Sequence, residues 1–407
     1  MKMNQSRKNF IWNMIGLTLN SFISLFYLVI VTRINGVEKA GVFSFIFAFS
    51  LILYTICLYG GRIYQVSDLK NEFTDQQYFS LKHITNFIVL IISIIYIIIN
   101  NYNIEKTLIL MLLMLTRIFE SYSDTIYGVF QKNDRLDYVG KSLVLKSMCS
   151  LLVFFIVDIF THNVVLSMFG ACVFVIAIYF IYDINKLKKY EKFKIELDIK
   201  NGKKILFAMK YVCLFSFITS LIINVPRFIV DYMLTDDYLG YFSIIIMIPT
   251  AVGLLGQFVI QPEVLSLSKK YFNKNNNDVN TKLKKIVLLT VALSTFCMIC
   301  AYFIGPAFLK LIYNLNFNNY RLILLIVVIG GMFNVIASIF STMLTIMRKT
   351  RVQFYLYLIV FVVGTLVSII IINNNNFYGP FISYLFIMAL ESILFYIAFK
   401  RYFYDKK

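Results

Sequence analysis

Residues 164–182 read VVLSMFGACVFVIAIYFIY, and the next residues, 183–204, read DINKLKKYEKFKIELDIKNGKK. The first stretch has 19 residues and no charge, which is about the length that an α-helix needs to cross a bilayer. The second stretch carries eight lysines, and basic clusters of this kind remain on the cytoplasmic side. Together they predict a membrane-spanning helix that ends in a cytoplasmic linker, midway along the 407-residue chain.

The composition of the whole chain agrees with a membrane protein. Hydrophobic residues make up 59% and charged residues only 15%, with a mean hydropathy of +0.76. Soluble domains carry roughly 25% charged residues, so a soluble globular fold is excluded. Eleven further apolar stretches have the length of a span, at 11–31, 40–59, 84–99, 108–128, 143–160, 205–230, 239–260, 286–309, 322–346, 354–372 and 380–399.

The basic residues between these stretches predict the orientation in the membrane. Thirty of the 39 lysines and arginines fall in the termini and alternate gaps, and five fall in the other gaps. This bias predicts that both termini lie in the cytoplasm. It also explains the net charge of +18 as a topology signal, so no nucleic-acid partner is expected.

The chain divides naturally at the basic linker. We predict an N-terminal six-helix bundle at 1–182, a linker at 183–204 and a C-terminal six-helix bundle at 205–407. Four residues of the first hairpin, at 31, 41, 43 and 44, recur 199 positions later as Val230, Gly240, Phe242 and Ser243. The predicted fold is therefore an all-α integral membrane protein of about twelve transmembrane helices, with a pseudo-two-fold parallel repeat, as in alternating-access transporters.

Charged residues within the spans are candidates for function, because each costs about 2.5–3.5 kcal/mol at the bilayer centre. Arg117, Glu120, Ser121 and Asp124 have the spacing of one helical face. Two interpretations stay open: an Arg–Glu pair buried between helices, or the wall of a water-filled cavity.

Other charges near the membrane suggest a phosphate-bearing substrate. Arg33 and Arg62 end the first two spans, and Arg227 follows Pro226 in the seventh. Arginine stays charged in a low dielectric and binds phosphate through two hydrogen bonds. For Arg33 and Arg62, a role as anchors at the membrane–water interface is an equally open interpretation. Lys146 is expected to extend to the cytoplasmic interface.

Catalytic and cofactor motifs are missing from the sequence. No G-x-x-x-x-G-K-[ST], HExxH or serine-elbow pattern occurs, so we expect no enzyme activity, no cofactor and no metal site. Because ATP cannot then drive transport through this chain, an ion gradient is expected to do so. The candidate coupling residues are Glu120, Asp124, Asp231 and Glu391.

Several short stretches together resemble the Wzx polysaccharide-unit flippases of the MOP exporter superfamily. They are TRING at 32–36, AGVFS at 40–44, GGRIYQVSD at 60–68, RIFESYSD at 117–124, YGVFQ at 127–131, VPRF at 225–228 and GYFS at 240–243. The resemblance implies export of undecaprenyl-diphosphate-linked O-antigen or capsule units across the bacterial cytoplasmic membrane, coupled to H+ or Na+. Other polysaccharide-assembly proteins are the implied partners. The implied substrate-binding residues are Arg33, Arg62, Arg117 and Arg227.

Two other functions stay open. A cation-coupled drug antiporter of the same superfamily would favour acidic cavity residues over arginines. A membrane polysaccharide polymerase would need a sizeable loop outside the cell, and every predicted outer gap is short. Lipid II flippases of this superfamily usually have two more helices than this chain.

Overall fold

The computed structural model describes residues 5–67, 73–190, 199–260, 263–273, 275–374 and 377–404. Within these ranges every secondary-structure element is helical. The helices are α1 Gln5–Asn35, α2 Val37–Leu58, α3 Gly61–Ser67, α4 Asp75–Ile99, α5 Ile104–Lys132, α6 Leu136–Thr161, α7 Val164–Ile178, α8 Asn185–Leu187, α9 Ile199–Met233, α10 Asp236–Ile245, α11 Met247–Ile260, α12 Val264–Phe272, α13 Asn276–Phe303, α14 Gly305–Tyr313, α15 Arg321–Ile346, α16 Thr350–Asn374 and α17 Gly379–Tyr404. A π-helical segment, Tyr179–Ile184, joins α7 to α8.

The predicted all-helical membrane fold is confirmed. Among the described residues, eleven helical stretches are long and apolar enough to span a bilayer. The predicted span at 108–128 is not one of these, although α5 is a continuous helix of 29 residues. Three charged residues, Arg117, Glu120 and Asp124, interrupt the apolar sequence in its middle and lower its hydropathy.

Several helices begin, end or divide away from the predicted limits. The span at 286–309 was wrong at its end, because α13 stops at Phe303 and the separate helix α14 begins at Gly305, with Pro306 in its first turn. Proline cannot donate the backbone hydrogen bond that would continue α13. The span at 239–260 consists of α10 and α11, which meet at Ile246. Helix α4 begins nine residues before the predicted 84, at Asp75.

The structure forms two compact units, Met1–Ser220 and Leu221–Lys407. The division lies inside α9, whose first half contributes Ile205 and Met209 to a cluster with Tyr78 and Leu81 of the N-terminal unit. The predicted bundle limits stay a prediction. Of the predicted linker, residues 191–198 lie outside the described ranges, as do the chain ends at 1–4 and 405–407.

In the N-terminal unit, α5 packs against α2, α3, α4 and α7, while α6 packs along α1. The α1–α6 crossing depends on Gly16 and Gly140. A Cβ atom on Gly140 would lie 2.1 Å from the backbone of Trp12, so only glycine permits this approach. Tyr27 and Phe154 then meet edge-to-face between the same helices, with ring centroids 4.8 Å apart.

In the C-terminal unit, α15 packs against α11, α13 and α17. Gly330 lies against the ring of Tyr384, and Gly256 against the side chain of Val335. Small residues let membrane helices approach closely, where dispersion replaces the missing hydrophobic driving force. Large apolar side chains are exposed on the outer helices, among them Phe160, Leu288 and Leu366, as a lipid-facing surface requires.

Candidate functional site

The charged residues of α5 lie in two different environments within the N-terminal unit. Ser121 is fully buried and donates a hydrogen bond to Asn86 Oδ1 at 2.8 Å, which joins α5 to α4. Arg117 and Glu120 border a cavity, and Asp124 contacts basic residues nearer the end of α5. Because α5 is central in this unit, each of its polar faces meets another helix.

Arg117 is held by one carboxylate and two aromatic rings. Its Nη1 lies 2.6 Å from Glu120 Oε2, and its guanidinium carbon lies 4.9 Å from the centroid of Phe47 and 5.5 Å from that of Tyr54. Only 7% of the residue is exposed. Its Nε is buried without a hydrogen-bond partner among the described residues. The guanidinium therefore keeps unused donor capacity inside the protein.

The cavity beside Arg117 has a volume of about 230 Å³. Its ionisable lining groups with charged side chains are Arg117, Glu120 and Lys146, which give it one net positive charge. Its other polar lining residues are Asn20, Ser21, Ser24, Tyr54 and Tyr127. All of these come from α1, α2, α5 and α6, so the cavity lies wholly within the N-terminal unit. Arg117 therefore both pairs with Glu120 and lines a cavity.

Arg62 belongs to a second charged cluster. It donates two hydrogen bonds to Gln131 Oε1, at 2.9 and 3.1 Å, and lies 3.8 Å from Asp124 Oδ1. Lys82 approaches the other oxygen of Asp124 at 3.8 Å and donates to the carbonyl of Leu58 at 2.7 Å. The predicted span at 84–99 left Lys82 in a cytoplasmic loop, but this residue is fully buried, because α4 begins before it.

Lys146 was expected to extend to the interface, and this was wrong. It is 5% exposed, and its Nζ lies 2.6 Å from Asp183 Oδ2 in the π-helical segment. It also donates to Ser123 and, at 3.3 Å, to Tyr127. The sequence held a signal for this pair. Lys146 starts one span and Asp183 ends the next, so an antiparallel helix pair brings them to the same depth.

The remaining predicted residues lie elsewhere. Arg33 is exposed near the end of α1 and does not line the cavity. Arg227 is half-buried in the C-terminal unit, where it donates to Asn224 Oδ1 at 3.0 Å, and Asp231 follows one helical turn later. Glu391 is 6% exposed in α17.

Glu391 differs from the other acids in its charge environment. Within the described residues it forms no ion pair, whereas Glu120 and Asp124 both do. The described residues also contain no cluster of three or more His, Cys, Asp or Glu side chains able to hold a metal ion.

Comparison with known proteins places this fold. No family model matches the chain. It is 23% identical over 399 residues to the capsular polysaccharide biosynthesis protein CapF of Staphylococcus aureus, covering 97% of this chain and 100% of that protein. The match runs through both units.

Solved transporters share the fold. A multidrug resistance MATE family transporter of the MOP superfamily, in an inward-facing conformation, aligns with a TM-score of 0.72 and 11% identity, over 97% of this chain and 98% of its own. The Lipid II flippase MurJ aligns with a TM-score of 0.74 and 16% identity, over 96% and 87%. The predicted fold is confirmed, because these solved structures share it over nearly the full length of the chain, and the resemblance seen in the sequence agrees with the capsular relative.

Proposed function

We propose that this protein is a flippase that moves undecaprenyl-diphosphate-linked oligosaccharide units across the bacterial cytoplasmic membrane by alternating access. The observation that carries the proposal is the net-positive polar cavity around Arg117 and Lys146, in a chain with a transporter fold. Its capsular relative supports a glycan cargo. Two cations near one carboxylate attract a diphosphate, and the surrounding hydroxyl and amide groups can hydrogen-bond phosphate or sugar.

The alternatives are weaker on the same observations. A drug antiporter with cationic cargo would need a net-negative cavity, and this one has the opposite sign. A polymerase would be an enzyme, and the chain shares its fold with transporters. We therefore also propose that it catalyses no reaction and needs no cofactor.

The direct test is transport in vesicles. Purified protein is reconstituted with a fluorescent undecaprenyl-diphosphate oligosaccharide in the inner leaflet, and a membrane-impermeant quencher reports its arrival outside. We expect transport with the diphosphate lipid and none with the matching neutral prenyl glycan. Equal transport of both lipids would contradict the proposed recognition of the diphosphate.

We propose that both termini face the cytoplasm, on the basis of the thirty-to-five charge bias. Single cysteines at Asn276, which begins α13, and Asn374, which ends α16, test this in a background without native cysteines. An impermeant thiol reagent added to intact cells should label position 374 and not position 276. Permeabilised cells should label both. Labelling of position 276 in intact cells would overturn the orientation.

Ion coupling is proposed for the acids Glu120, Asp124, Asp231 and Glu391, and we expect Glu391 to matter most. A buried carboxyl group without a cationic partner is costly to hold in its charged form, and binding of H+ or Na+ removes that cost. Glu391→Gln should make transport in vesicles independent of an imposed H+ or Na+ gradient. The control is Asp278→Asn, whose side chain is 53% exposed and pairs with Lys270. Unchanged gradient dependence in all four amide variants would show that coupling lies elsewhere.

A further inference from the structure

Lys146 and Asp183 form a buried ion pair on the wall of the cavity, and no sequence motif accounts for it. Lys146 borders both the 230 Å³ cavity and an adjoining recess, in each case together with Arg117 and Glu120. We propose that Lys146 is a second phosphate-binding cation, and that Asp183 is a built-in competitor that holds Lys146 while the cavity is empty. This inference rests on the proposed function and specifies how that site is regulated.

The contacts around Lys146 allow its ammonium to leave the Asp183 carboxylate. If its ammonium leaves Asp183, the Ser123 hydroxyl still donates to Asp183 Oδ2 at 2.8 Å. Tyr127 likewise keeps its hydrogen bond to Ser142 at 2.7 Å. Each group that Lys146 contacts thus retains one polar partner when the ammonium turns to a bound phosphate. Deleting the ammonium altogether is different, because it leaves the Asp183 carboxylate as an uncompensated buried charge.

The two cations of the cavity differ in how firmly they are held. The Arg117 guanidinium is fixed between Glu120 and the rings of Phe47 and Tyr54. A lysine ammonium is compact and sits on four flexible methylene groups, so it can turn from a carboxylate to a phosphate without moving its helix. Arg117 would then position the anion, and Lys146 would respond to its presence.

The backbone at Asp183 also points to function. Asp183 lies in the π-helical segment Tyr179–Ile184, where the wider turn brings its carboxylate to Ser123 of α5 and Lys146 of α6. Such π-helical turns are rare and concentrate at functional sites. Its second oxygen, Oδ1, is buried without a hydrogen-bond partner among the described residues. Asp183 is therefore a poorly satisfied carboxylate that competes for a cation.

Competition predicts opposite effects for the two partners. Lys146→Met should weaken diphosphate binding at least about tenfold, since one charge-assisted hydrogen bond is lost. Asp183→Asn should strengthen binding several-fold. Without the carboxylate, Lys146 is free to bind the diphosphate in a larger fraction of the molecules, and the apparent affinity rises with that fraction. The double variant should bind as weakly as Lys146→Met alone. A purely structural pair predicts that both single variants weaken binding or leave it unchanged.

The test measures binding of farnesyl diphosphate, inorganic pyrophosphate and farnesol to the purified full-length protein in detergent. Tighter binding of farnesyl diphosphate than of pyrophosphate identifies a lipid headgroup as the ligand, and equal binding identifies free diphosphate. Asp137→Asn is the matched control, because Asp137 is a buried carboxylate paired with Arg135 outside the cavity. It should lower the melting temperature without changing the affinity.

Each outcome separates the inference from the proposed function. The inference is overturned if Asp183→Asn weakens binding or has no effect, or, where that variant does not fold, if Lys146→Met keeps wild-type affinity. If wild-type protein binds farnesol as well as farnesyl diphosphate, diphosphate recognition itself fails, and the proposed function with it. If Arg117→Ala loses binding while changes at Lys146 and Asp183 have no effect, only the inference fails.

Discussion

Replacing Arg117 by alanine is expected to abolish glycan export while the protein remains in the membrane. Its guanidinium lies within a cavity of net positive charge and has unused donor capacity at Nε. Removing one partner of a buried charged hydrogen bond costs about 2 kcal/mol or more, which is at least roughly a 30-fold loss of diphosphate affinity. Arg117→Lys should recover only part of the activity, since an ammonium keeps the charge and loses the two-pronged contact. Surface glycan and vesicle transport are the measurements.

The double variant Arg117→Ala with Glu120→Ala decides between binding and internal pairing. If Arg117 only neutralises Glu120, removing both avoids an unpaired buried charge and should restore export. If Arg117 binds the substrate, the double variant stays inactive. Recovered export would therefore end the binding role of Arg117.

Arg135→Ala is the matched control for the loss of an arginine. Arg135 also pairs with a carboxylate, at 2.8 Å to Asp137, and stacks on Tyr138 with its guanidinium carbon 3.6 Å from the ring centroid. It lies outside the cavity. Its removal should lower stability modestly and leave transport intact. If Arg135→Ala also abolished transport, the loss of any paired arginine would be harmful, and the effect of Arg117→Ala would not be specific to the cavity.

Replacing Gly140 by alanine is expected to prevent accumulation of folded protein. Its added Cβ would lie 2.1 Å from the carbonyl carbon and oxygen of Trp12, and backbone atoms cannot turn away as a side-chain end can. Overpacking of this kind costs about 3 kcal/mol or more, because α1 must separate from α6. Gly16→Ala should act in the same direction, since its Cβ would lie 2.6 Å from the Gly140 oxygen.

The control for this prediction is Gly253→Ala in α11, where no atom lies within 4 Å of an added Cβ. Both variants lose one glycine from a helix interior, so they share the small gain in helix propensity. Size-exclusion profiles and melting temperatures of detergent-solubilised protein give the readout. Wild-type yield and stability for Gly140→Ala would contradict the α1–α6 packing described here.

Hydropathy alone located the long apolar helices but misjudged several of their ends. The bilayer imposes a simple local rule, because about 20 apolar residues must follow one another to span it. The stretch 286–309 is apolar throughout, but it contains the end of one helix and, near Pro306, the start of another. Hydropathy does not detect a helix end inside an apolar stretch. For Lys82 the error was the opposite one, because a basic residue was taken to mark a loop. A lysine can lie within a buried helix when backbone carbonyls accept its hydrogen bonds.

The sequence by itself determined the membrane class, the approximate positions of the long apolar helices and the charged face of α5, because these depend on residues close together in the chain. Only the tertiary structure decided the partners of those charges. It joined Arg62 to Gln131 across 69 positions and Lys146 to Asp183 across 37, and it separated Arg33 from the cavity. The local sequence pattern determines which residues share a helix face. The helix that packs against that face is determined by tertiary packing, such as the close approach of α1 and α6 at Gly140. The cavity is a product of that packing.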